Sequence, residues 1–175
     1  MKTRNLTILG LFTAIICILG PLAIVLPFSP VPFSLGTLGV ILASLILGPK
    51  EGLICTVVYL LSGFFGLPVF TGFTGGAGKI LGPTGGYLLG YLLLSIIGGK
   101  LAVLWHKKPL LQAIALFIGM LTCYLVGTAW LTIQSGLSLS TALWAGVIPY
   151  IPFVLAKIGI ALYLERKLRR ISSRM

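Results

Sequence analysis

Six runs of apolar residues, separated by short polar or glycine–proline stretches, make up most of this chain. They extend over Leu6–Leu26, Leu35–Leu47, Leu53–Phe65, Gly85–Leu104, Leu110–Ile133 and Leu143–Leu164. None alternates apolar and polar positions, so each predicts a helix rather than a barrel strand. A membrane span needs about 20 residues, and the first, fourth, fifth and sixth runs reach that length. The second and third are short and meet at Gly48-Pro49-Lys50-Glu51-Gly52, which predicts a helix-breaking turn. They are either short spans or a re-entrant hairpin. The first run has the opening of a signal peptide, but it is longer than a signal core and no polar domain follows it. It reads as a retained span.

Composition supports a membrane reading. The chain has 175 residues, 58% of them hydrophobic and 9% charged, with a mean hydropathy of +1.13. Soluble domains carry about a quarter charged residues. The expectation is therefore one domain over residues 1–175, an all-α integral membrane protein with six transmembrane helices. The formal charge of +11 comes from thirteen Lys and Arg against two acids. With the N-terminus placed in the cytoplasm, Lys2, Arg4, Lys50, Lys100, Lys107, Lys108, Arg166, Lys167, Arg169, Arg170 and Arg174 all fall inside. That is the positive-inside pattern of a multi-pass protein of a cell membrane with both termini cytoplasmic. It also favours the second and third runs as true spans, since a hairpin tip at Lys50-Glu51 would leave charge in hydrocarbon. The basic tail, Glu165–Met175, suits contact with lipid headgroups better than contact with nucleic acid.

Two cations fall outside that pattern. Lys157 lies inside the last run, eight positions before Glu165, about 12 Å along a helix. A charge at such depth faces a cavity or a partner. The preceding Ile148-Pro149-Tyr150-Ile151-Pro152-Phe153 places two prolines three apart, which breaks or kinks the helix start and frees backbone groups to face a cavity. Lys79 lies in the stretch from Gly66 to Tyr87, a long glycine-rich loop between the third and fourth helices. A phosphate-binding loop would need Gly at 73 and Ser or Thr at 80, where this chain has Phe73 and Ile80. What remains is a glycine-rich lid that lets backbone approach a ligand, with Lys79 to meet an anionic group. Phe33, Thr37, Phe70, Phe73, Tyr87 and Tyr150 are candidate pocket walls. Gly10 and Ala14 form a small-x-x-x-small pair suited to close helix contact. Cys17, Cys55 and Cys123 are odd in number, widely spaced and set in apolar runs, which reads as packing rather than a disulfide or metal site. His106 stands without nearby acids, so no metal site is expected. No spacing activates a nucleophile, so no catalytic residues and no cofactor are expected.

Val31-Pro-Phe-Ser-Leu-Gly-Thr-Leu38, Leu47-Gly-Pro-Lys50, Gly66-Leu-Pro-Val-Phe70, Leu81-Gly-Pro-Thr-Gly-Gly-Tyr87 and Ile148-Pro-Tyr-Ile-Pro152 followed by Lys157 together resemble one family. It is BioY, the biotin-specific substrate-binding subunits of energy-coupling factor (ECF) transporters. The resemblance covers most of the chain. It implies six helices, biotin bound from outside under the loop between helices 3 and 4, and no ATPase of its own. It also implies a transmembrane coupling subunit and an ATPase pair as partners, with Gly10 and Ala14 at the coupling-subunit interface. Two positions depart from the family pattern. The last motif commonly reads Pro-Gly-Asp-x-x-Lys, with the Asp helping to bind the ureido ring, whereas Phe153 and Val154 stand here. Many members also carry Gln where this chain has Gly36. Uptake of another small anionic vitamin, an intramembrane lipid-modifying enzyme and a purely structural subunit are the rival readings.

Overall fold

The computed structural model describes residues 3–24 and 31–172, with side chains through Leu168. Lys2, Leu26 and Arg174, and the side chains of Arg169 and Arg170, lie outside the described residues. Helix α1, Thr3–Leu19, opens the chain. It stops short of the expected Leu26 because Pro21 cannot continue a helix and Gly20 sits against Val69. A Cβ on Gly20 would lie 2.3 Å from the Val69 carbonyl oxygen. The chain then forms β1, Ala23–Ile24, paired antiparallel with β2, Phe33–Ser34. This two-residue ribbon is a small addition to the expected helices. It is too short to show a period in sequence.

Helix α2, Gly36–Ile46, and α3, Pro49–Phe64, follow. The expected five-residue turn is shorter than predicted. Gly48 takes φ 103°, and Pro49, whose missing N–H would have no partner there, starts α3. Lys50, Glu51 and Gly52 are helical. The 66–87 stretch is not wholly loop either. It contains α4, Ala77–Leu81, and its end opens α5, Gly85–Leu93. Helix α5 runs through a π turn, Leu94–Gly98, into α6, Gly99–Leu104. Helix α7, Pro109–Ser135, ends at Gly136 in the left-handed region (φ 64°), a common helix stop. The last apolar run is not one helix. It divides into α8, Leu139–Gly146, a 3-10 turn at Ile148–Tyr150, and α9, Ile151–Ser172. The break falls at the two prolines.

The protein is thus mostly helical. Among the described residues three stretches are long and apolar enough to cross a membrane: Gly85–Leu104, Pro109–Ser135 and Leu139–Leu168, the last counted across its break. Helices α1 and α2 are apolar and shorter. The core lies where α2, α5, α7 and α9 meet, around Val40, Leu94, Leu116, Met120 and Ile158. Close approach of α5 to α7 needs a glycine, since a Cβ on Gly90 would lie 2.8 Å from the Cys123 carbonyl oxygen. One face of α1 is exposed. On α1, Gly10 and Ala14 are exposed together with Leu11 and Ile18, and a Cβ on Gly10 would meet nothing within 4 Å.

Candidate functional site

The break before α9 and the β1–β2 ribbon build one cavity between them. Ser34 fixes the ribbon's end: its hydroxyl donates to the Gly20 carbonyl (2.9 Å) and accepts from the Gly36 N–H (2.9 Å). This leaves the Ser34 carbonyl turned to α9. Lys157, 5% exposed, donates from Nζ to that carbonyl (2.5 Å) and to Thr37 Oγ1 (2.7 Å). Its Nζ also stands 3.7 Å from the centre of the Phe33 ring, where the negative face of the ring attracts a cation. Phe33 is held by a parallel ring, Tyr150 (centres 6.2 Å apart), and by Phe153 (4.9 Å). The Tyr150 hydroxyl donates to the Val31 carbonyl, tying the 3-10 turn to the ribbon.

The cavity offers about 50 Å³ to the centre of a water-sized molecule, less than the usual small-molecule site, so a ligand of any size must part its walls. Phe33, Ser34, Thr37, Tyr150 and Lys157 form one wall, and Tyr87 and Tyr91 from α5 with Met120, Cys123 and Tyr124 from α7 form the other. Tyr87 packs edge-on to Tyr124 (6.4 Å) and its hydroxyl lies 3.5 Å from Thr128 Oγ1. One cation, several hydroxyls and an aromatic lining suit a small anionic or strongly polar molecule with an apolar body. Among the described residues no group of three or more His, Cys, Asp or Glu is placed to hold a metal ion.

Five of the expected wall and contact residues therefore meet: Phe33, Thr37, Tyr87, Tyr150 and Lys157. Phe70, Phe73 and Lys79 do not line this cavity. Phe70 is fully buried against Tyr59 of α3 (5.5 Å, edge-on) and sits over Gly63, where a Cβ would fall 2.1 Å from its ring. It pins the loop to the core. Phe73 is 67% exposed at the loop's tip, and Lys79 is half-buried on α4. The loop's other half is tied to α7 by Trp130 Nε1 donating to the Gly82 carbonyl (2.9 Å) and Gln134 Nε2 to the Leu81 carbonyl (3.1 Å). Sequence reasoning missed Ser34, Tyr91, Met120, Cys123 and Tyr124. Tyr87 and Tyr91 are four apart, and Met120 and Tyr124 likewise, so each pair shares a helix face. A tyrosine in an apolar helix needs somewhere for its hydroxyl. That signal was available.

Val154 and Gly36, the two departures, are both buried. Val154 packs in the core and does not line the cavity. A Cβ on Gly36 would approach Ser34 Oγ (3.1 Å) and the Gly20 Cα (3.2 Å), so a larger residue there would disturb the Ser34 anchor.

Comparison with known proteins agrees in sequence and in structure. The chain is 34% identical to a probable biotin transporter BioY of Pyrococcus horikoshii, over 97% of this chain and 98% of the relative. It is 34% identical to the biotin transporter BioY of Thermotoga maritima, over 96% and 97%, and 38% identical to biotin transporter BioY2 of Lactococcus lactis, over 86% and 81%. The crystal structure of an S-component for biotin from an ECF-type ABC transporter superposes with a TM-score of 0.89 at 35% identity, covering 97% of this chain and 92% of that one. The BioY family model matches residues 1–174, and the chain belongs to that family.

Proposed function

We propose that this protein is the biotin-binding membrane subunit of an ECF-type uptake transporter, a single domain that binds the vitamin from outside the cell. The observation that carries this reading is the Lys157 cavity: a buried cation at one end of an aromatic slot, in a chain whose relatives are named biotin transporters. In this reading the chain crosses the membrane six times with both termini in the cytoplasm, and α1, α2 and α3 supply three of the spans. The 66–87 stretch lies outside as the lid, with Phe70 as its anchor, Phe73 at its tip and Lys79 on its short helix. The protein is not an enzyme. ATP hydrolysis comes from a partner ATPase pair through a transmembrane coupling subunit, and the basic end of α9 rests on lipid headgroups. Isothermal titration of purified protein with biotin is expected to show one saturable site at micromolar or lower concentration. No saturable heat in that range would sink the ligand assignment.

The bare face of α1 supplies the coupling contact in this proposal. A Cβ on Gly10 would meet nothing within 4 Å among the described residues, and Ala14 is exposed, so both have room to be enlarged. Gly10→Leu with Ala14→Leu is therefore expected to leave biotin binding by the isolated subunit within about threefold, while biotin uptake by cells carrying the whole transporter falls by at least tenfold, since small residues let helix backbones approach closely. Undiminished uptake would place the coupling contact elsewhere.

A further inference from the structure

A groove separates α7 from α9 on the outside of the fold. It is lined by Leu110, Ile114 and Phe117 of α7 and by Leu155, Gly159 and Leu162 of α9, and no polar side chain enters it. It offers about 330 Å³ to the centre of a water-sized molecule, against about 50 Å³ in the Lys157 cavity. Gly159 is exposed, and a Cβ there would meet nothing within 4 Å among the described residues. Glycine weakens a helix interior relative to alanine. At Gly90 close helix packing requires it. At Gly159 no neighbour does, and the missing side chain leaves room on the outer surface.

The groove has a charged end. Only residues 136–138 join α7 to α8, so the stretch that contains α9 runs back antiparallel to α7. The start of α7 and the end of α9 therefore lie together. Lys107 and Lys108 stand just before α7, and Arg166 lies four residues after Leu162, on the same face of α9. All three are exposed. Glu165, the one acid of these two helices, is buried and does not line the groove. Tyr163, 65% exposed beside Leu162, is the kind of ring that sits at headgroup level. From Leu110 to Phe117 the groove runs about 10 Å, which fits within one leaflet of a hydrocarbon core about 30 Å thick.

An apolar groove alone selects no occupant in a membrane, because lipid tails are as apolar as leucine. The cations at its mouth do select. We propose that the groove seats one acyl chain of an anionic phospholipid, with the phosphate met by Lys107, Lys108 and Arg166. Basic pockets between membrane helices recognise anionic headgroups in this way. The site rests on the membrane reading above and not on the identity of the vitamin, so a wild type that failed to bind biotin would leave it standing.

The test is native mass spectrometry of the purified subunit in detergent, titrated with phosphatidylglycerol and with phosphatidylcholine of the same chains. Wild type is expected to bind phosphatidylglycerol at least tenfold tighter. The triple variant Lys107→Gln, Lys108→Gln, Arg166→Gln should bind the two lipids within threefold of each other. Arg4→Gln, Lys50→Gln, Lys100→Gln removes the same charge elsewhere and should keep the preference. Gly159→Leu fills the groove and should weaken both lipids at least fivefold, whereas Ala156→Leu, outside the groove on α9, should not. Equal loss of preference in the two triple variants makes the effect one of net charge and overturns the proposal. Unchanged lipid binding in Gly159→Leu also overturns it, and a dimer lost in that variant with lipid unchanged gives the groove to a second copy of the chain. Should Gly159→Leu not fold, wild type is labelled with phosphatidylglycerol carrying a photoreactive group in its acyl chain. Labels concentrated in residues 110–117 and 155–162 are expected, and labels spread evenly over the exposed helix faces overturn the proposal.

Discussion

Lys157→Ala is expected to weaken biotin binding by at least about 100-fold, the largest functional effect of any single substitution in this chain. A hydrogen bond from a charged donor is worth about 1.5–3 kcal/mol, and 100-fold is about 2.7 kcal/mol. The same change is not expected to unfold the protein. Thr37 Oγ1 already donates to the Ser34 carbonyl (3.3 Å), so the two groups that Lys157 leaves behind satisfy one another. A buried ammonium without an opposite charge is itself unfavourable. The melting temperature of the ligand-free variant should therefore stay level or rise while affinity collapses, the signature of a residue retained for function against stability. Lys167→Ala, an exposed lysine ten residues further along α9, serves as the control and should change affinity by less than about threefold. Titration calorimetry paired with thermal melts reads both quantities. Equal losses from the two lysines would remove Lys157 from the site, and a variant that melts far below wild type would make it structural.

Lys157 was legible in the sequence because a lone charge in an apolar run has few explanations. Tyr150 was legible because the two prolines announce a broken helix. Phe33 and Thr37 follow from the motif around them. The errors have a common physical origin in contacts between residues distant in sequence. Nothing in Gly66-Leu-Pro-Val-Phe70 says that the Phe70 ring will fall on Gly63 and Tyr59, so a glycine-rich stretch with aromatics read as a pocket wall when its buried aromatic is a fastening. The Gly20-Pro21 stop was hidden because the apolar residues of the following ribbon extend the run without a change in composition. Gly48 set its turn alone because Pro49 is as good at starting a helix as at ending one. Tyr91, Cys123 and Tyr124 looked like ordinary span filler, since helix periodicity gives their faces but not which face meets a cavity.

Gly127 is where that hidden pairing should have its largest effect on the fold. Tyr87 fills the space that a side chain at Gly127 would need: a Cβ there would lie 2.2 Å from Cδ1 and 2.4 Å from Cε1 of the ring. The other end of Tyr87 is closed in the same way, since a Cβ on Gly146 would fall 2.1 Å from its hydroxyl oxygen. The ring is 7% exposed and wedged between α7 and α8, so it cannot retreat along either helix. Gly127→Ala leaves it one way to move, into the cavity it lines. Overpacking of this kind costs about 1–3 kcal/mol, a fall in melting temperature of roughly 2–12 °C for a chain of this size. Biotin affinity is expected to fall by about tenfold or more, as the displaced ring occupies space the ligand needs. The double variant Gly127→Ala with Tyr87→Leu separates the two consequences. Trimming the ring relieves the clash and should recover most of the lost melting temperature, but not the affinity, because the aromatic wall is gone. A Gly127→Ala protein that melts and binds as wild type would show that Tyr87 is free to repack, and the cavity wall would then be softer than its glycine seats imply.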